Sequence, residues 1–267
     1  MTGIGKMFGD LRAQGRKGFV AYLTAGDPAP ERTPELVAAL VSGGADLIEL
    51  GVPFSDPVAD GPVIQRAGDR ALKAGMTLRG VLDIARKIRK SSNVPLLLFT
   101  YLNPVIRYGL DRLAGDAADA GIDGCLLTDA SVEEAHDYVG AMHANGLDTV
   151  FMATPTSTER RMKLVAEYSS GFVYLVSRTG VTGERDSLSN MAAPLIRAMR
   201  GITNLPLAAG FGISKPEHIA ELAPQVDAVV VGSALVRTIE DNMQNPRMAA
   251  ELEAFVRRLK GGLGASA

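Results

Sequence analysis

The chain has 267 residues, of which 46% are apolar and 22% charged, a composition that supports a large buried core and excludes disorder as the main state. Its 28 lysines and arginines balance 30 acidic residues without any block of like charge, and it has 8 phenylalanines, 6 tyrosines and no tryptophan, which argues against nucleic acid as a partner. The longest stretch without a charge, 91–106, is too short and too polar to span a bilayer, and the lone Cys125, inside an apolar run, suits a buried thiol in a reducing, cytoplasmic setting.

At the amino end, Ile4, Met7, Phe8 and Leu11 stand at helical spacing within 1–14 and predict a helix suited to closing the floor of a barrel. Arg16 and Lys17 precede the apolar run 18–26 in the manner of a secretory leader, but Asp10 before it and Asp27-Pro28 after it argue against export. From there, short runs rich in Val, Ile, Leu and Phe recur at 19–24, 47–51, 95–101, 124–128, 149–153, 172–177, 205–209 and 228–232, with helical stretches between them. Several open on a turn residue followed by an aspartate: Asp46, Asp123, Asp148 and Asp227. Asp123 and Asp148 are 25 residues apart, one beta-alpha unit, and the 79 residues from Asp148 to Asp227 make about three. Eight such units predict an α/β fold, a single (β/α)8 TIM barrel, with 1–267 as one domain because no linker divides the chain. The 43 residues between the second and third runs leave room for a loop and two helices, about 63–73 and 78–90, and so for an extra helix after strand 2.

Barrel enzymes build their sites from the loops after the strands, so the strand ends carry the chemistry. Glu49 stands among apolar neighbours at the end of the second run, where an unpartnered carboxylate costs several kcal/mol or has its pKa forced upward. A structural hydrogen bond or a lysine partner is the alternative reading. The loop 52–61 brings Asp56 and Asp60 to the same mouth, and two carboxylates, one dry and one wet, can divide acid and base work at neutral pH. Turn and helix-cap chemistry is their plainer explanation. After the seventh run comes Gly210-Phe211-Gly212-Ile213-Ser214, and after the eighth Gly232-Ser233 before a helix, the two places where barrels hold phosphate on backbone amides. The loop 178–187 has the composition of a lid or of a solvated connector, and Tyr174 suits either a pocket wall or a core position. All three histidines fall in helical stretches, which disfavours a histidine-ligated metal, and no lysine lies in any of the eight runs, which disfavours a Schiff base. Carboxylate chemistry on a phosphorylated substrate remains.

Residues 48–61, Ile-Glu-Leu-Gly-Val-Pro-Phe-Ser-Asp-Pro-Val-Ala-Asp-Gly, resemble the signature of the tryptophan synthase α subunit at every position. Leu23-Thr24-Ala25-Gly26-Asp27-Pro28, Ser177-Arg178-Thr179-Gly180-Val181-Thr182-Gly183 and Gly210-Phe211-Gly212-Ile213-Ser214 extend the likeness in the same order along the whole chain. The resemblance implies retro-aldol cleavage of indole-3-glycerol phosphate to indole and glyceraldehyde 3-phosphate, with no metal and no cofactor in this subunit. Pyridoxal phosphate is expected only in a β subunit that takes the indole, in an α2β2 assembly. By the same resemblance, Glu49 is the acid and base and Asp60 the partner of the indole N–H. Gly183, Gly212, Ile213, Gly232 and Ser233 would hold the phosphate. Tyr22, Ile64, Phe99, Leu126, Tyr174 and Phe211 would surround the indole, with Thr182 bonding Asp60 and Asp56 at the β contact. The likeness departs at Thr128-Asp129-Ala130-Ser131-Val132, which lacks the prolines many members carry there. A stand-alone indole-releasing lyase and a non-catalytic barrel that only regulates a β subunit are the competing expectations. Indole-glycerol phosphate synthase needs a strand lysine that this chain lacks.

Overall fold

Eight parallel strands close on themselves in sequence order in the computed structural model, which describes residues 2–176, 188–210 and 212–264. They are β1 (Gly18–Thr24), β2 (Leu47–Gly51), β3 (Leu96–Thr100), β4 (Gly124–Leu127), β5 (Asp148–Ala153), β6 (Val173–Val176), β7 (Leu207–Gly210) and β8 (Ala228–Val231). β8 returns to pair with β1, Gly18 opposite Ala228, which completes the expected (β/α)8 barrel. The helices, in chain order, are α1 (Gly3–Ala13), α2 (Thr33–Gly43), α3 (Pro62–Lys73), α4 (Leu78–Arg89), α5 (Leu102–Tyr108) and α6 (Leu110–Asp119). They continue as α7 (His136–Ala144), α8 (Glu159–Tyr168), α9 (Leu188–Arg200), α10 (Pro216–Leu222), α11 (Ser233–Asp241) and α12 (Met248–Lys260). Among the described residues no helix is long and apolar enough to cross a membrane.

The two helices expected between the second and third strands are α3 and α4. The apolar pattern does not foretell α5, because it begins one residue past β3 inside an uncharged stretch and contains Pro104. A proline in the first helical turn breaks no helical hydrogen bond. The amide of Leu102 at the start of α5 donates instead to Asp129 Oδ1, 2.7 Å away on the loop after β4. That bond anchors the segment without the family's prolines.

Period two sorts the strand residues onto two faces. Outward residues such as Leu23, Ile48, Leu50, Leu98 and Cys125 pack under the helices, while Val20, Leu47, Leu97, Leu126, Val150 and Val230 fill the barrel. Each such Leu or Val contributes about 1.5–3 kcal/mol by burial. Ile4 and Phe8 of α1 join the inner set, with the Phe8 ring 5.7 Å from that of Phe172. The Thr2 hydroxyl accepts from the Gly5 amide at 3.1 Å and donates to the Asp148 carboxylate, so α1 is both capped and tied to the barrel floor.

The recurrent aspartates also work at this floor. Asp46, Asp123 and Asp227 each accept the amide of a residue at the start of the preceding strand: Phe19 at 2.9 Å, Leu96 at 2.8 Å and Leu207 at 2.8 Å. A cation completes each pair, Arg89 on Asp123 and Arg200 on Asp227 at 2.6 Å, with Lys260 and Arg16 on Asp46 at 3.3 and 3.4 Å. At these three places an amide near the start of a strand takes as its acceptor an aspartate one strand further on, so no buried donor is left over there. Asp148 departs from the pattern, accepting from Thr2 and from the Ser170 hydroxyl at 2.9 Å.

Candidate active site

With one end plugged by α1, the barrel opens at the other into a cavity of about 610 Å³, a size suited to a small molecule. β2 aims its chemistry there. Leu47, Glu49 and Gly51 alternate with Ile48 and Leu50, so the period that buries the apolar pair under the helices turns the carboxylate into the barrel. Gly51 is required by Tyr22: a Cβ at that position would lie 2.2 Å from the tyrosine hydroxyl. Tyr22 therefore leans across β2, its ring edge-on to Phe99 with centroids 5.2 Å apart, and its hydroxyl stands 3.4 Å from Thr24 Oγ1.

Glu49 is 1% exposed, and among the described residues neither of its carboxylate oxygens has a hydrogen-bond partner. Among the described residues, the alternative of a structural bond or a lysine partner is therefore not realised. Burial alone pushes its pKa up to about 8, so the carboxyl is largely protonated at neutral pH. The phenols of Tyr22 and Tyr174 flank it. Both are held well above the usual phenol range, first by burial and then by nearby carboxylates, Asp60 and Glu49 for Tyr22 and Glu49 for Tyr174.

Tyr22 thus lies within electrostatic reach of both carboxylates, although Asp60 itself is not among the residues that line the cavity. Asp60 is half-buried on the loop between β2 and α3, and burial raises its pKa to about 6 while a hydrogen bond with Tyr101 opposes the rise. The Tyr101 hydroxyl also accepts from the Ala59 amide at 3.2 Å, and its ring packs 5.2 Å from Phe54, so one phenol grips both arms of the loop. Helix-cap chemistry does not explain Asp60, because the cap residue of α3 is Gly61 and it receives no side-chain bond. Asp56 is exposed at the loop tip, bonded by the Ser55 hydroxyl at 2.5 Å, near Val58, which is 82% exposed.

At the outer end, the cavity meets the loops after β7 and β8. Gly212 adopts a φ of +70°, a left-handed turn that only glycine takes without strain, and Ile213 follows it onto the wall. At the start of α11 the amides of Leu235 and Val236 turn back to the Gly232 carbonyl at 2.8 and 3.1 Å. Those of Ser233 and Ala234 make no such bond among the described residues, and both residues line the cavity. Free first-turn amides form an anion cradle.

Of the residues singled out in the sequence, Tyr22, Glu49, Ile64, Phe99, Tyr174, Gly212, Ile213, Gly232 and Ser233 share this wall. Leu126 pairs in register with Phe99 but is fully buried among the barrel's inner residues instead of lining the cavity. Thr182, Gly183 and Phe211, with the loop 178–187, lie outside the described residues. Arg237, Thr238 and Asp241 of α11 and Phe255 of α12 also line the cavity. Arg237 and Phe255 were not legible in the sequence: an arginine four residues beyond Ser233 on a helix carries no signal of its own, and no local signal brings Phe255 here. A smaller hollow of about 160 Å³ at the floor, between α1 and the strand starts, holds no unpartnered acid among the described residues.

The family model described as tryptophan synthase alpha chain matches residues 8–263. The tryptophan synthase alpha chain of Solibacter usitatus is 72% identical over 267 residues, covering 100% of both chains. The crystal structure of tryptophan synthase subunit alpha from Legionella pneumophila superimposes with a TM-score of 0.92 at 36% identity, covering 98% of each chain. A chain of tryptophan synthase from M. tuberculosis matches with a TM-score of 0.88 at 33% identity, covering 97% of this chain and 98% of that one.

Proposed function

This chain belongs to the tryptophan synthase alpha chain family, whose reaction is the cleavage of indole-3-glycerol phosphate, and on that premise we propose how its own residues carry the chemistry. Glu49 is the acid and base, Asp60 the partner of the indole N–H, and the Gly212–Ile213 and Gly232–Ser233 segments the phosphate cradle. The observation that carries this reading is the dry carboxyl of Glu49, without a partner among the described residues, lining a cavity whose far end is a helix start.

The reaction then balances within one side chain. Protonated Glu49 delivers its proton to C3 of the indole, and the ring becomes an indoleninium. Asp60, ionised above about pH 6, stabilises the positive charge developing at the ring nitrogen. The bond between C3 and the glycerol carbon breaks, its electron pair flows into the ring and neutralises the charge, and indole leaves. The hydroxyl on the glycerol carbon loses its proton to the Glu49 carboxylate as the aldehyde forms, which restores the acid. No cofactor of this subunit enters these steps. Tyr22, Phe99 and Ile64 exclude water and orient the ring, and burial keeps Glu49 protonated at working pH.

The family works with a β chain, and we place this barrel, acting as one domain in the cytoplasm, in an α2β2 tetramer. Exposed Asp56 and Val58 at the tip of the loop after β2 support a contact there. Indole release from indole-3-glycerol phosphate, measured with and without a β subunit, tests the reading. Turnover that rises with the partner supports it. Tight substrate binding and β activation without any turnover would favour a purely regulatory barrel instead, and full activity without the partner a stand-alone lyase.

A further inference from the structure

We propose that Arg237 is the cation that holds the substrate's phosphate, and that it sets the preference for a phosphorylated over a dephosphorylated indole-glycerol. This rests on reading the cavity as the indole-3-glycerol phosphate site. A phosphate monoester carries close to two negative charges at neutral pH. The glycine loops and the start of α11 offer it only partial charges.

Arg237 lines the same cavity as Gly212, Gly232 and Ser233, four residues beyond Ser233 on α11. That spacing puts both side chains on one helix face, roughly 6 Å apart along the axis. Helical side chains lean toward the amino end, so an arginine at this position has the length and direction to reach back toward the first-turn amides of Ser233 and Ala234.

Neighbouring acids leave Arg237 available. On the same helix Glu240 is already taken, by Arg66 at 2.7 Å and by Arg70 at 2.8 Å. Asp241 lines the cavity one turn below Arg237, yet among the described residues Arg237 makes no ion pair with it or with any other acid. The Thr238 hydroxyl between them donates to the Ala234 carbonyl at 2.9 Å and so is not free to bind an anion. An exposed guanidinium lining a cavity, with no ion-pair partner among the described residues and beside a helix start, is placed to take the dianion. Glu49 lines the same cavity at its inner end, fully buried and without a partner among the described residues, which marks the space between the two as the ligand's.

Arg237→Gln, Arg237→Lys and Asp241→Asn are compared with the parent chain bound to its β subunit, using indole-3-glycerol phosphate, its dephosphorylated indole-glycerol and inorganic phosphate as a competitive inhibitor. For Arg237→Gln, KM for the phosphorylated substrate and Ki for phosphate should both rise about tenfold while kcat stays within about twofold, the loss of one charged hydrogen bond. KM for indole-glycerol should stay unchanged, Arg237→Lys should recover part of the loss, and Asp241→Asn should tighten phosphate slightly. Unchanged KM and Ki in Arg237→Gln, with the parent chain active, would overturn this inference alone. An equal loss on the dephosphorylated substrate would overturn it too, since the effect would then be structural. A parent chain inactive on indole-3-glycerol phosphate would instead sink the functional reading beneath it.

Discussion

The two ends of the barrel treat their carboxylates in opposite ways. At the floor, Asp46, Asp123 and Asp227 each receive a backbone amide and a cation, so each charge is compensated where it stands. At the mouth, Glu49 is more deeply buried and receives nothing among the described residues. An uncompensated buried acid destabilises its fold unless it keeps its proton, and a kept proton is what a general acid at neutral pH must have. The floor spends its acids on stability. The mouth holds one back for a substrate.

Substitution separates the two ends most sharply. Glu49→Gln keeps the shape and removes the proton, so kcat for indole release should fall by a factor of about 10² to 10⁴ while thermal stability holds or rises. Asp123→Ala should do the reverse. It strands the Leu96 amide and Arg89, so urea unfolding should show a loss of about 1–3 kcal/mol with activity per folded molecule retained. Equal effects of both variants on both readouts would erase the distinction.

The pH dependence sharpens it further. The folded protein holds the Glu49 proton up to about pH 8, whereas the unfolded chain releases it near the ordinary value of 4.5. Between those limits the folded state binds more protons, so this group's contribution to stability is full below the lower limit and is lost as pH rises through the upper one. Chemical denaturation across that window should show a decline that Glu49→Gln flattens. In kinetics, kcat/KM should be bell-shaped, with an acid limb near 6 from Asp60 and an alkaline limb near 8 from Glu49. The smallest effect is expected of Tyr101→Phe. Without that hydroxyl Asp60 loses the bond that opposes its raised pKa, so the acid limb should move to higher pH, with a loss of a few fold at neutral pH.

The barrel was legible because its strands are buried on both faces and so read as apolar runs, punctuated by aspartates whose purpose shows only in three dimensions. Asp123 and Asp227 look alike in the sequence as strand openers. That each closes the strand before its own depends on register, which spacing does not reveal. Glu49 was legible because a lone carboxylate in an apolar strand violates the burial rule. Asp60 stood out only through its loop, and its tie to Tyr101 joins residues from different loops. Arg237 was hidden for the opposite reason, since an arginine on a helix breaks no rule. Family resemblance puts Leu126 in the pocket, although period two and the register fix only that it points inward.

The protonation of Glu49 itself is the most direct test. Infrared difference spectra, parent chain minus Glu49→Gln, should show a protonated carboxyl C=O band that persists through neutral pH and titrates with a midpoint near 8. A carboxylate signal already complete at pH 5 would contradict a dry acid at the mouth and the proton transfer built on it.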